Sequence, residues 1–168
     1  MNHEICREFI HHLDQDGSLE CGHAPEHIQR WLEELNLPVG FLTFMRWDWP
    51  QADGQIAHLT VRSSRSIYAD DATVVLIAHK LLNIGSAPNG DWLVIDFSTE
   101  ACGVGFVTHE EWSPWSDSPQ DPRLFLQPIA RSFASFLYRA VEGRYLPTDY
   151  YAARKFNSFL MEERRAGG

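Results

Sequence analysis

A chain of 168 residues that is 44% hydrophobic and 22% charged is long enough to bury one sizeable core and too apolar to stay disordered. Its net charge of −9 argues against a nucleic-acid partner, because an acidic surface repels phosphate. No apolar run approaches the roughly 18 to 20 residues that span a bilayer, and the opening MNHEICREFIHHLDQD lacks the apolar stretch of a signal peptide. A single-domain cytoplasmic protein with no membrane contact is expected. Its three cysteines, Cys6, Cys21 and Cys102, form no CxxC and read as reduced thiols.

In chain order, Ile5, Phe9 and Leu13 recur at helical spacing before the breaker Asp14-Gln15-Asp16-Gly17, which predicts a short helix over Glu4 to Leu13. Ala24-Pro25 opens a second helix, Pro25 to Leu35, with Ile28, Trp31, Leu32 and Leu35 on one face. Leu37-Pro38 to Trp49 fits a helix carrying Phe41, Phe44 and Met45, or a strand. After a turn at Pro50 to Gly54, Ile56 to Arg62 alternates as one strand. Thr73 to His79, apolar and β-branched, suits either a strand or a short helix.

Leu82 to Glu111 is the most regular stretch and reads as a three-stranded antiparallel meander. Asn89-Gly90 supplies the positive φ of a tight hairpin, so Leu82 to Gly85 and Trp92 to Phe97 should pair across it. Alternation sends Trp92, Val94 and Asp96 to one face and Leu93, Ile95 and Phe97 to the other. Both faces are mostly apolar, which predicts a strand covered on both sides, with Asp96 accepting N–H bonds from the Ser98-Thr99 turn. Val104, Phe106 and Thr108 form the third run, and Gly103 and Gly105 mark a bulge. Ile129, Phe133, Phe136, Leu137 and Ala140 then line one face of a helix ending near Gly143. Thr148 caps a last helix carrying Ala152, Phe156, Phe159 and Leu160, before the polar tail Glu162 to Gly168.

This order resembles the SUKH superfamily, which holds the yeast cell-wall-synthesis regulator and many bacterial immunity proteins. The residues that carry it are Gly85-Ser86, Asn89-Gly90-Asp91, the apolar strand ending in Asp96, the glycine-bearing strand closed by His109-Glu110, and Ile129-Ala130-x-Ser132-Phe133-x-x-Phe136-Leu137. Upstream, Leu37-Pro38 and Phe44 resemble the family's opening helix. The insert Ser113 to Asp121 and the stretch Ser63 to Lys80 depart from the pattern. The resemblance, best over residues 37 to 151, implies one α+β domain spanning 1–168: an antiparallel sheet flanked by N-terminal and C-terminal helices, the latter on one face. It also implies binding in place of catalysis, as an immunity protein that sequesters a toxin, often a nuclease. The alternative is a general regulatory interaction module.

The residues themselves offer little chemistry. His109-Glu110-Glu111 carries Ser113 where a zinc-protease helix has its second histidine. Cys21, His23 and His27, with Cys6, His11 or His12, match no common zinc spacing, so no metal or cofactor is expected. Gly103-Val-Gly105 lacks a third glycine and precedes no helix, which removes a phosphate cradle. Cys102 and His109 lie seven residues apart on one strand, separated by roughly 20 Å, and form no dyad. A non-enzyme is therefore expected, with a small hydrolase using His109 and Glu110 or Glu111 kept as a third class.

Charge is unevenly spread. Residues 1–122 carry 19 acids against 6 Lys or Arg, residues 123–168 only 4 against 8, and no Lys or Arg falls between Lys80 and Arg123. Two loops place tryptophan and proline among carboxylates: one holds Trp47, Trp49 and Asp53, and the other follows Glu110 and Glu111 with Trp112, Trp115, Asp117 and Asp121. Tryptophan anchors interfaces and carboxylates steer cations, so these residues are the expected contact surface for a basic protein partner. Tryptophans folded back on the core would serve equally well as lids.

Overall fold

The computed structural model describes residues 6–8, 10, 21–116 and 120–157. Residues 6–8 and 10 are helical; the rest of the expected helix Glu4 to Leu13 lies outside the described residues. Helix α1 (Glu26–Glu34) and helix α2 (Val39–Trp47) both begin after a proline, Pro25 and Pro38, whose fixed φ and missing N–H are tolerated at a helix start. α1 buries Ile28 and Leu32, and α2 buries Phe41, Phe44 and Met45. A two-stranded ribbon, β1 (Cys21–Gly22) with β2 (Trp49–Pro50), closes this helical layer.

The chain then builds a six-stranded antiparallel sheet in sequence order: β3 (Gly54–Ile56), β4 (Leu59–Val61), β5 (Leu81–Ser86), β6 (Trp92–Asp96), β7 (Gly103–Val107) and β8 (Leu126–Ala130). The expected strand over Ile56 to Arg62 is instead a hairpin. Ile56 pairs with Leu59 across a turn in which Ala57 takes φ 55°, a left-handed conformation that no glycine or asparagine announces there. Between β4 and β5, residues 63–80 form α3 (Ser64–Tyr68) and α4 (Asp71–Ala78). The Asp70 side chain accepts the Ala72 N–H and the Thr73 hydroxyl, which settles Thr73 to His79 as helix.

The meander appears as expected. Leu82 faces Ile95, Gly85 faces Leu93, and the turn between them places Gly90 at φ 97°. Ile84 is an extra residue in β5, where a Cβ on Gly85 would run into the Thr60 carbonyl oxygen, so β4 and β5 approach this closely only because residue 85 has no side chain. The β7–β8 register shifts between Val104 and Gly105, the bulge that the two glycines mark. Ile129, expected on a helix, lies in β8. The helix α5 (Phe133–Val141) starts later because Ser132 and Ser135 form a reciprocal capping box.

The sheet is covered on both faces. Leu82, Ile84, Leu93, Ile95, Val104 and Phe106 join the main core with Ile28, Phe41, Phe44, Trp49, Phe133 and Phe136. On the other face Leu81, Val94 and Val107 pack with Leu76 of α4 and with Trp112. A last helix covers 150–157. Its cap is Asp149, which accepts the Ala152 N–H at 2.7 Å, and not the expected Thr148, whose hydroxyl donates to Asp149. Tyr150 and Ala153 of this helix reach the main core. Phe159, Leu160 and the tail lie outside the described residues. The outer edge of β8 is blunted: Pro128 has no N–H, and Asn157 and Arg139 each donate at 2.7 Å to the carbonyls of Pro128 and Ile129. Among the described residues no helix is long and apolar enough to cross a membrane.

Candidate functional site

The β5–β6 turn, the end of β7 and the start of the last helix converge on one carboxylate. Asp91 is fully buried. It accepts the Asn89 amide at 2.9 Å, the His109 backbone N–H at 3.1 Å, His109 Nδ1 at 2.9 Å and the Tyr150 N–H at 2.9 Å. Burial alone would raise its pKa, but these donors outweigh burial and hold it below the usual carboxylate value. An ionised carboxylate only accepts, so Nδ1 of His109 carries a proton and donates it to Asp91.

His109 lies just before the insert, where it lines a cleft of about 210 Å³ together with Glu110, Glu111, Ser113, Ser116 and Gln120. Small-molecule sites usually measure about 300–1,000 Å³; this cleft has the size of a single side chain. Tyr151 of the last helix donates to Glu110 Oε2 at 3.0 Å and to Glu111 Oε1 at 3.2 Å. That donation, to Glu110 foremost, pushes the phenol up to about 12.

Trp112 does not face a partner. Its side chain is buried in the second cluster against Trp92, and its indole N–H donates to the Gln120 carbonyl at 2.7 Å, which ties the two ends of the insert together. Trp49 is likewise wholly buried, with its N–H on the Arg62 carbonyl at 2.8 Å. Both correct the expectation of surface anchors: a large ring with a satisfied donor is more stable in the core than in water.

The two tryptophan loops do not share a core cluster, since Trp49 and Trp112 sit on opposite faces of the sheet. Trp47 is partly exposed, with His23 edge-on at 4.7 Å and the Arg46 guanidinium over its ring. The Asp53 carboxylate accepts the Ser63 N–H at 2.7 Å. What the second loop does present is Glu110, Glu111, Asp121 and, 68% exposed, Trp115. Asp117 lies outside the described residues.

The acidic stretch is also less acidic in space than in sequence. Asp91 is spent as a hub, and Arg123 reaches back to Asp96 with two parallel bonds of 3.0 and 2.8 Å. These bonds, with the Ser98 turn, overcome burial and keep Asp96 below its ordinary range. Asp121 pairs with His79 Nδ1 at 3.1 Å. Of the other candidates, Cys102 is buried and burial pushes the thiols of Cys6 and Cys102 up to about 12, which keeps them protonated and unreactive. His27 packs edge-on against Tyr68.

Sequence reasoning missed Tyr151 and the exposed Leu124 and Val74. Only α4, with no charge after Asp71, carried a visible signal. No protein-family model matches the chain, nor does any curated protein or solved structure.

Proposed function

We propose that this protein acts by binding a basic protein through the loop from His109 to Asp121, as an immunity-type protein that sequesters a toxin, and not by catalysis. The observation that carries the reading is Trp115, 68% exposed on a loop whose root Trp112 fixes in the core. An exposed aromatic four residues after Glu111 suits a partner that offers a pocket rimmed by Lys or Arg. The resemblance in the meander and the absence of Lys and Arg between Lys80 and Arg123 point the same way. The blunted β8 edge favours side-chain docking over strand addition. A regulatory module would use the same surface with a partner that is not a toxin. Retrieval of bound proteins from source cells, with the Trp115→Ala protein in parallel, tests this: one dominant basic protein lost in the variant is expected, and retention by the variant would count against the loop.

A second reading rests on the Asp91–His109 pair, since a carboxylate on Nδ1 prepares an imidazole for general-base work. It places a small hydrolase at the cleft. Hydrolysis of a simple aryl ester that persists undiminished in His109→Gln would remove it.

A further inference from the structure

A helix lying on a sheet normally turns charged residues to water. α4 does not. Beyond Asp71 its sequence is Ala-Thr-Val-Val-Leu-Ile-Ala, and while Ala72, Thr73 and Leu76 are buried against the sheet, Val74 is 72% exposed and Ala78 is exposed beside it. Leu124, on the 3-10 turn Pro122–Phe125, is 73% exposed.

The elements that bear these side chains are locked together. His79, the residue that ends α4, pairs with Asp121, and its carbonyl accepts Arg123 Nε at 2.8 Å. Val75 and Phe125 both pack on the Trp112 cluster, and Trp112 holds the loop of Trp115 through Gln120. Exposed apolar side chains on elements joined in this way point to an interaction site.

The rim indicates the occupant. Asp71, the first residue of α4, and Asp121, bonded to His79 at its end, are exposed, as are Glu110 and Glu111 just before Trp112, while Arg123 is paired with Asp96 and Lys80 Nζ lies over the Phe97 ring. We propose that the outer face of α4, Leu124 and Trp115 together receive an amphipathic segment of another protein, apolar on one side and flanked by Lys or Arg. This rests on the acidic-loop reading and extends it from a charged loop to an apolar floor.

Three synthetic peptides of one length and pattern serve as probes, built from Leu and Lys, from Leu and Glu, and from Ser and Lys, titrated calorimetrically at near-physiological salt. The Leu/Lys peptide should bind one to one, at least about tenfold tighter than either other peptide, and Val74→Ser or Leu124→Ser should each weaken it about tenfold. Both residues are exposed, so unchanged thermal melting should accompany the loss. Leu/Lys binding that is the same in both variants, or a Leu/Glu peptide that binds equally well, overturns the proposal. So does self-association that Val74→Ser abolishes, which would make a second copy the occupant. Ser/Lys binding lost in Glu110→Gln with Glu111→Gln, but indifferent to Val74→Ser and Leu124→Ser with Leu/Lys no tighter, sinks the apolar floor and spares the acidic loop. Binding of both Lys peptides that ignores the glutamate substitutions sinks the acidic loop. No binding by any peptide removes both.

Discussion

The buried carboxylate of Asp91 accepts the backbone N–H of Tyr150 at 2.9 Å, which ties a hairpin turn to the first residue of a helix 59 positions later. The same side chain holds His109 by ring and backbone. One residue thereby sets the position of the cleft relative to the helix that carries Tyr151. Asp91→Asn keeps one acceptor oxygen but loses the charge that its donors face, and a loss of about 2 kcal/mol is expected, read from urea midpoints at neutral pH.

The depressed pKa of Asp91 gives that loss a pH signature. Its folded value lies below the ordinary 3.8, so its contribution is complete above about pH 5 and declines as pH falls through about 4 toward the folded value, because the unfolded chain takes up the proton first. Asp53 and Asp96 are shifted the same way and steepen the decline. Wild-type stability should therefore drop more between pH 7 and pH 3.5 than that of Asp91→Asn. Parallel urea midpoints for the two proteins would contradict the assignment.

Phe133 touches Phe41, Phe44, Trp49 and Phe136 with ring centroids between 5.5 and 6.0 Å and is wholly buried. Phe133→Ala should cost about 3–5 kcal/mol, because the aromatic cluster from three elements cannot close over the space. A denaturation midpoint shifted by less than about 1 kcal/mol would mean that α5 does not dock as described.

The sequence conveyed most where a local signal agreed with the tertiary result. Asn89-Gly90 and the alternating runs around it gave the β5–β6 hairpin because turn chemistry and burial favour the same register. Ala57 gave none: its φ of 55° is imposed by the pairing of Ile56 with Leu59 and by His58, whose ring meets the Pro147 carbonyl at 3.0 Å, contacts that no local pattern encodes. The tryptophans failed differently. Trp49, Trp112 and Trp115 all sit among prolines and carboxylates in sequence, and only the position of each root relative to the sheet decides that the first two fill the core and the third faces water.

Two backbone positions can be tested in opposite senses. Ala57 is exposed and strained, so Ala57→Gly should stabilise by about 0.5–1 kcal/mol. Gly85→Ala would force a Cβ into the Thr60 carbonyl and should destabilise by more than about 1 kcal/mol, since backbone must shift. Equal melting temperatures for the two variants would contradict the hairpin and the bulge together.

The acidic loop separates two kinds of contribution to binding. Asp121 is a poor probe, because it caps the 3-10 turn through the Arg123 N–H and pairs with His79, so its removal would disturb the fold. Glu110 and Glu111 are exposed, and among the described residues their side chains bond to Tyr151. Glu110→Gln with Glu111→Gln should slow association with the captured partner several-fold and flatten its salt dependence, leaving dissociation nearly unchanged, because long-range attraction acts on the encounter. Trp115→Ala should do the reverse, speeding dissociation by about thirtyfold, or about 2 kcal/mol, if its ring fills a pocket in the partner. Its exposure predicts an unaltered melting temperature. Kinetics at two salt concentrations distinguish these effects, and a Trp115→Ala protein that binds normally while the glutamate pair matters would place the anchor elsewhere on the acidic face.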